Sequence, residues 1–254
     1  MIKFERTITP SCEQWRSVIM GARNPMNSWY RSDSHRCGSG SCDICIDYDT
    51  CPYDHNPDKL IMGPNDHDLL MRLAKGGPVH AKYRRQIFVY VDITAPLYWW
   101  KEFDTYKVGT TANSCSTMHK IHAKEFTRDD FSCEKLIDNG GLELDFVGSD
   151  GNMHKTSVGF NEVLDITIQA LNFARDLFLE TKDKCYWDQM IQLLPSSYNQ
   201  KRTVTMTYEN LYNMYQSRKD HKLSEWRVGF CGWAKSLPYS ELFTMEWEES
   251  HEES

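Results

Sequence analysis

Between Ile87 and Thr94 the side chains alternate, Ile87, Val89, Val91 and Ile93 against Phe88, Tyr90, Asp92 and Thr94. That period of two predicts a strand. Thr94 is placed to cap a following helix and Pro96 to sit in its first turn, where a missing N–H costs nothing. Leu97 to Tyr106 is richer in aromatic side chains than a solvent-facing helix needs. The run from Val108 to Thr117, VGTTANSCST, is small and hydroxyl-bearing and reads as a polar binding loop.

Other stretches follow the same two periods. Ile2 to Ile8 is a short strand candidate. Ser11 and Gln14 have capping-box spacing, and Trp15, Val18, Ile19 and Ala22 then form one helical face. Asn65 is the expected cap of a helix with Leu69, Leu70 and Leu73 on its apolar face, stopped by Gly76-Gly77. Residues 121–160 are mixed, with a strand from Leu142 to Val147 that fits a hairpin. Asn161 to Thr181 is the strongest helix, with Val163, Leu164, Ile168, Leu171, Ala174, Leu177 and Phe178 at helical spacing. A helix from Tyr186 to Leu194, a strand from Arg202 to Thr207, a helix from Tyr208 to near Lys219 and a helix from Ser224 to Ser236 complete the series. The expected class is α/β (α+β): a central sheet with flanking helical layers, one domain over residues 1–254.

Residues 31–58 break every period. They are rich in Gly, Ser, Asp and Cys and read as an inserted loop. Within it Cys37, Cys42, Cys45 and Cys51 are separated by four, two and five residues, with His35 and His55 beside them. Four thiolates enclose a zinc ion tetrahedrally, and a segment with so little apolar content gains order from such a staple. An unliganded insert stays open as the alternative, as does, more remotely, an iron–sulfur cluster.

Composition narrows the classes further. The formal charge of −7 argues against a general nucleic-acid binder, although not against a local phosphate site. MIKFERTITP lacks the apolar core of a signal peptide, and no run approaches transmembrane length. The expectation is a cytoplasmic chain with reduced cysteines and no membrane or nucleic-acid partner.

Two stretches, ITAPLYWWKEFDTYKVGTTANSCST and LPSSYNQKRTVTMTYENLYNMYQSR, together resemble the flavin-dependent thymidylate synthases. In that family a helix ending in Gly leads through a strand to an Ala-Pro step, here Ala95-Pro96, and then to an aromatic helix. The signature Arg-His-Arg, seven residues, Ser follows. A later block opens Leu-Pro and closes in a helix bearing Asn and Arg, here Asn213 and Arg218. Glu225-Trp226-Arg227-Val228 is similar to the family's Gln-Trp-Glu-Ile, displaced by one residue, and Ala22-Arg23 extends the match toward the N-terminus.

The signature positions themselves differ. Arg-His-Arg falls on Thr105, Tyr106 and Lys107, and the Ser on Cys115. The phosphate-gripping Arg falls on Thr117, the preceding Gln on Glu102, and a later Asn-x-Arg on Thr207 and Glu209. Lys107, Lys101, Arg218 and Arg202 remain as sources of charge, but a lysine is a point charge and no planar fork.

The resemblance implies FAD as cofactor, held by Lys107 and Asn213. It implies dUMP or a related pyrimidine nucleotide as substrate, held by Glu102, Cys115 and Arg218, with Arg218 also the catalytic candidate. A folate one-carbon donor, NADPH and a homo-oligomer, a tetramer in the family, come with it. Three functions stay open: one-carbon transfer to dUMP, a non-catalytic nucleotide-binding homologue, and a flavin enzyme of another pyrimidine nucleotide. Cys115 is read as a Ser-like loop residue or a nucleophile, and Trp99, Trp100 and Phe103 as core or a flavin-stacking surface. His119 and His122 are read as surface residues.

Overall fold

A computed structural model describes residues 2–38, 56, 58–138 and 141–245. The described residues divide into two compact units. One takes Met1–Lys3, Ile93–Thr105 and Asn113–Arg202, the other Phe4–Asp92, Tyr106–Ala112 and Thr203–Ser254. Among the described residues no helix is long and apolar enough to cross a membrane. Cys42, Cys45 and Cys51 lie outside the described residues, so the zinc reading does too. Cys37 lies within them and is buried.

The chain opens with β1 (Lys3–Ile8) and α1 (Cys12–Arg23). The reciprocal Ser11–Gln14 capping box starts α1, and Trp15, Val18, Ile19 and Ala22 are its buried face. β2 (His35–Arg36) and β3 (Leu60–Ile61) pair antiparallel. In α2 (Pro64–Lys75) the cap is not Asn65: the helix starts one residue earlier, behind Gly63. The Asp33 carboxylate accepts from the amides of Asn65 and Asp66 at 2.9 and 3.1 Å, so the cap comes from a distant loop. Gly76 ends the helix as expected, with Gly77 at φ +89°.

β4 (Phe88–Pro96) carries the alternation, with Val89, Val91 and Ile93 buried and Phe88 and Tyr90 half-exposed. Thr94 does not cap the helix that follows, because the strand runs through to Pro96. α3 (Leu97–Phe103) starts with no side-chain cap and ends before Tyr106. Its first amides are met by tertiary contacts instead: Leu97 N–H donates to the Tyr198 carbonyl at 2.9 Å and Tyr98 N–H to that of Ser196 at 3.0 Å. Trp99, Trp100 and Phe103 are buried and pack on one another with centroids 4.9–5.2 Å apart, which makes them core.

The polar run after α3 holds β5 (Thr111–Ser114), a strand where the sequence reads as loop. Every residue of it is exposed, so no apolar face betrays it, and backbone pairing alone supplies its order. α4 (Thr117–Lys120) follows, then a hairpin of β6 (Leu142–Val147) and β7 (Met153–Val158). α5 (Phe160–Thr181) buries Leu164, Ile168, Leu171 and Ala174 against Ile121, Phe126, Phe131 and Met190. Val163, expected on that face, is 42% exposed and belongs to a second apolar stripe. α6 (Lys184–Leu193) leads to β8 (Asn199–Thr207) and α7 (Tyr208–Arg218).

The strands β1-β4-β8-β5 form one sheet in that order. β4 and β8 run antiparallel: Leu97 meets Tyr198 at one end, and Tyr208 N–H donates to the Ile87 carbonyl at the other. The helix expected over Ser224–Ser236 opens as a π-helical turn, Glu225–Phe230, before α8 (Cys231–Lys235). The wider turn lets Trp226 and Phe230 be buried together with centroids 5.1 Å apart. α9 (Glu241–Thr244) closes the described chain.

Candidate functional site

In the unit that holds α7, Arg218 at the helix end is clamped by aromatics. Its Nε donates to the Tyr106 hydroxyl at 3.0 Å, and its guanidinium carbon lies 5.6 Å from the Tyr106 ring centre and 4.9 Å from that of Trp226. A cation on two rings is attracted by both faces and loses rotamer freedom before any ligand arrives. Tyr106 stands where the resemblance has a histidine, and Trp226 is the tryptophan of the displaced Trp motif.

The backbone beside Tyr106 is held by a second device. Thr207 and Asn210 form a reciprocal capping box at the start of α7, and the Asn210 amide also donates to the Val108 carbonyl at 2.6 Å. Gly109 sits at φ +82°, and a Cβ there would lie 3.0 Å from Asn210 Oδ1. Gly109→Ala is therefore expected to cost about 1–3 kcal/mol, measured by urea unfolding, through left-handed strain and displacement of the Asn210 contact. A variant as stable as the parent would show that this turn is not fixed.

In the other unit the backbone around Cys115 is held from β8. Cys115 N–H donates to the Lys201 carbonyl at 2.9 Å, and its own carbonyl accepts from Gln200 Nε2 at 2.8 Å. Gln200 is buried and ties on to Arg202, whose Nε donates to Gln200 Oε1 at 2.9 Å. Arg202 donates to Asp104 at 2.7 Å and lies 4.1 Å over the Trp100 ring, so its charge is already committed. Cys115, Lys120, Lys124 and Tyr198 are among the walls of a cleft of about 280 Å³ floored by Ile121 and Phe126. Burial pushes the Tyr198 phenol up, with the nearby Asp130 and Cys115 adding to it, so the phenol stays a neutral donor.

The residues expected from the resemblance divide between these places. Lys107 is exposed in the segment after α3, and Asn213 is exposed on α7, while Arg218 on the same helix is half-buried in its aromatic clamp. Glu102 is half-buried on α3, and Cys115 is exposed at the cleft. His122 is not a plain surface residue, since its ring packs at 4.9 Å on Phe178. Residues missed from sequence are Tyr106 and Trp226 as the clamp on Arg218, Asn210 as a loop brace, and Lys120, Lys124 and Tyr198. The Lys120–Lys124 spacing after a Ser-Cys-Ser run was the one local signal available.

The class these features define is that of the fold: a central sheet of β1, β4, β8 and β5 with helices, in the arrangement of the flavin-dependent thymidylate synthases. Among solved structures the chain is similar to thymidylate synthase X from Helicobacter pylori with FAD and dUMP, at 15% identity and TM-score 0.56 over 96% of each chain. A second structure of the Helicobacter pylori enzyme, complexed with FAD and dUMP, gives TM-score 0.54 at 14% identity over 96% of this chain and 97% of that one. The UMP/dUMP methylase PolB from Streptomyces cacaoi, bound with 5-Br dUMP, gives 0.51 at 15% identity over 96% and 94%. At these identities the likeness is one of fold. No protein-family model matches the sequence, and no curated protein matches it.

Proposed function

We propose that this protein binds a pyrimidine nucleoside monophosphate of the deoxyuridine type. The observation that carries the reading is Arg218. It stands at the place of the nucleotide-binding arginine implied by the resemblance, immobilised on Tyr106 and Trp226. A guanidinium held in one orientation loses little entropy when it takes up an anion or a pyrimidine carbonyl.

One-carbon transfer to dUMP, with FAD as carrier, a folate donor and NADPH as reductant, is the second reading. It is favoured by the extent of the fold likeness, 96% of each chain. The implied flavin residues fit a diphosphate poorly. Of Lys107 and Asn213 only Lys107 offers a cation, and where the resemblance has Asn-x-Arg this chain has Thr207, engaged with Asn210, and the negatively charged Glu209. A diphosphate needs several fixed donors or cations, so binding without flavin turnover is the better-supported form. Purified protein is accordingly expected to lack flavin absorbance and to bind dUMP in calorimetry. A stoichiometric flavin that survives purification would overturn the preference, and no heat with dUMP at millimolar ligand would overturn nucleotide binding itself.

A homo-oligomer goes with this reading, and α5 offers its surface. Val163, Ile166 and Phe173 are 42%, 55% and 66% exposed and, with Ala170 and Leu177, recur at alternating steps of three and four. That seam pairs well with a second copy of itself. The chain is expected to run above its 29.7 kDa mass on sizing, and an Ile166→Glu, Phe173→Glu variant to run as a monomer. A parent protein that is already monomeric would remove the proposal.

A further inference from the structure

A second cavity, of about 220 Å³, lies in the unit that holds α7, between α1, β3 and the turn after α8. Pro10, Trp15, Leu60, Pro238 and Tyr239 line it, and the exposed Lys59 is the charged residue among its described walls. These walls are fixed from outside the cavity. The Tyr239 hydroxyl accepts from the Met62 N–H at 2.9 Å and donates to the Leu60 carbonyl at 2.8 Å, which ties the far end of its ring to β3. Its backbone stands at φ +53°, a left-handed conformation that a bulky side chain adopts only under constraint. The Tyr208 hydroxyl donates to the Pro238 carbonyl. The Trp15 ring stands edge-on to Tyr208 and Tyr239, with centroids 5.8 and 5.3 Å away. The walls are thus in place before any ligand arrives, and binding costs little ordering entropy.

Trp15 supplies an unanswered donor. It is 2% exposed and lines the cavity, yet its indole N–H donates to no group among the described residues. The indoles of Trp29, Trp100, Trp187 and Trp233 each reach an acceptor at 2.7–3.1 Å. A buried tryptophan ordinarily finds such a partner, because an unmatched N–H away from water is costly. Here the acceptor is left for a ligand to bring.

We propose that this cavity binds a small organic carboxylate with one flat apolar ring. The ring packs on the Trp15, Tyr239 and proline walls, and the carboxylate accepts from Trp15 Nε1 and is drawn by the Lys59 ammonium. Three features select that class. The volume is below that of a drug-sized site, so a single ring fills it. The unmatched group is a donor, so the ligand carries an acceptor. The rim is positive and no Asp or Glu is among the described lining residues, so that acceptor is anionic. Nothing in the site uses Arg218 or its clamp, so it stands or falls apart from the nucleotide reading.

The test uses the nitrogen-15-labelled full chain and three probes: phenylacetate, benzyl alcohol and acetate. The readout is the indole N–H resonance of Trp15, assigned through bonds so that no core variant is needed. Phenylacetate is expected to move that resonance to saturation, benzyl alcohol to bind more weakly, and acetate, which has no ring, to leave it in place. Lys59→Gln, an exposed and structurally mild change, is expected to weaken phenylacetate about twofold to fivefold, the scale of an exposed ion pair, and to leave benzyl alcohol unchanged. Added salt should act on phenylacetate in the same direction and not on benzyl alcohol. A Trp15 resonance unmoved by millimolar phenylacetate would overturn the site. Benzyl alcohol binding as tightly as phenylacetate, or phenylacetate indifferent to Lys59→Gln, would overturn the carboxylate assignment.

Discussion

Replacing Arg23 with Ala is expected to lower the unfolding free energy by about 3–5 kcal/mol, because it strands a buried carboxylate. Arg23 and Asp66 are 3% and 0% exposed at the side chain, with both Nε and Nη2 of Arg23 2.6 Å from Asp66 Oδ1. The remaining guanidinium protons go to Ser28 and to the Arg31 carbonyl, at 3.1–3.4 Å. The other oxygen of Asp66 accepts from the hydroxyls of Ser32 and Ser34 at 2.8 and 2.6 Å and from the amides of Asp33 and Ser34 at 3.2 and 3.0 Å. One ion pair thus closes the loop from Ser28 to Ser34 onto α1 and α2. Arg23→Lys should recover only part of the loss, since an ammonium cannot fill the fork. Urea unfolding checks it, and a loss below about 1 kcal/mol would class the pair with ordinary surface ion pairs and sink the argument.

The same carboxylate carries a pH dependence. Burial pushes the Asp66 carboxyl up, but hydrogen bonds from Ser34, Ser32 and Arg23 outweigh that and hold it below the usual carboxylate range. A folded-state value below the unfolded one, about 3.9 for Asp, gives stability that is present above the unfolded value. That stability is lost as pH falls through the folded one. Asp66→Asn should therefore be less stable than the parent near neutrality and should lose less on acidification.

Arg218→Ala is expected to weaken binding of dUMP by about 1.5–3 kcal/mol, roughly tenfold to a hundredfold, the scale of one charge-assisted hydrogen bond. Arg218→Lys should lose nearly as much, because the clamp of Tyr106 and Trp226 recognises a flat cation. Tyr106→Phe separates the two roles: it keeps the ring under Arg218 and removes only the 3.0 Å bond to its Nε, so it should cost less than either. Calorimetry on the three variants, each first checked for an unchanged unfolding midpoint, reads the order. Equal affinity in the parent and Arg218→Ala would remove Arg218 from the nucleotide site.

Much of the secondary structure was legible because its determinants are local. The Ser11–Gln14 capping box, the alternation through β4, the Gly76 stop and the buried stripe of α5 each depend on neighbours within a few residues. The misses share the opposite property. Asp33 caps α2 from more than thirty residues upstream, and the 196–198 turn satisfies the first amides of α3 from about a hundred residues downstream. β5 carries no side-chain pattern at all, since its partner strand supplies the order that its exposed residues do not.

The sequence by itself determined most of the helices and strands, which of their faces are apolar, and the order of elements that marks this fold. It also showed which charged signature positions were replaced, since that needs only residue identity. Tertiary structure decided which cations have charge to spare. Arg202 and Arg218 look alike in the sequence; one is spent on Asp104 and Trp100, the other is held flat on Tyr106 and Trp226. Lys120 gained a cleft because the Cys115 segment is pinned to β8 near an apolar floor. The reason is physical: periodicity and capping are set over one or two turns of chain, whereas the pairing of a charge is set by whatever the fold brings within about 4 Å of it.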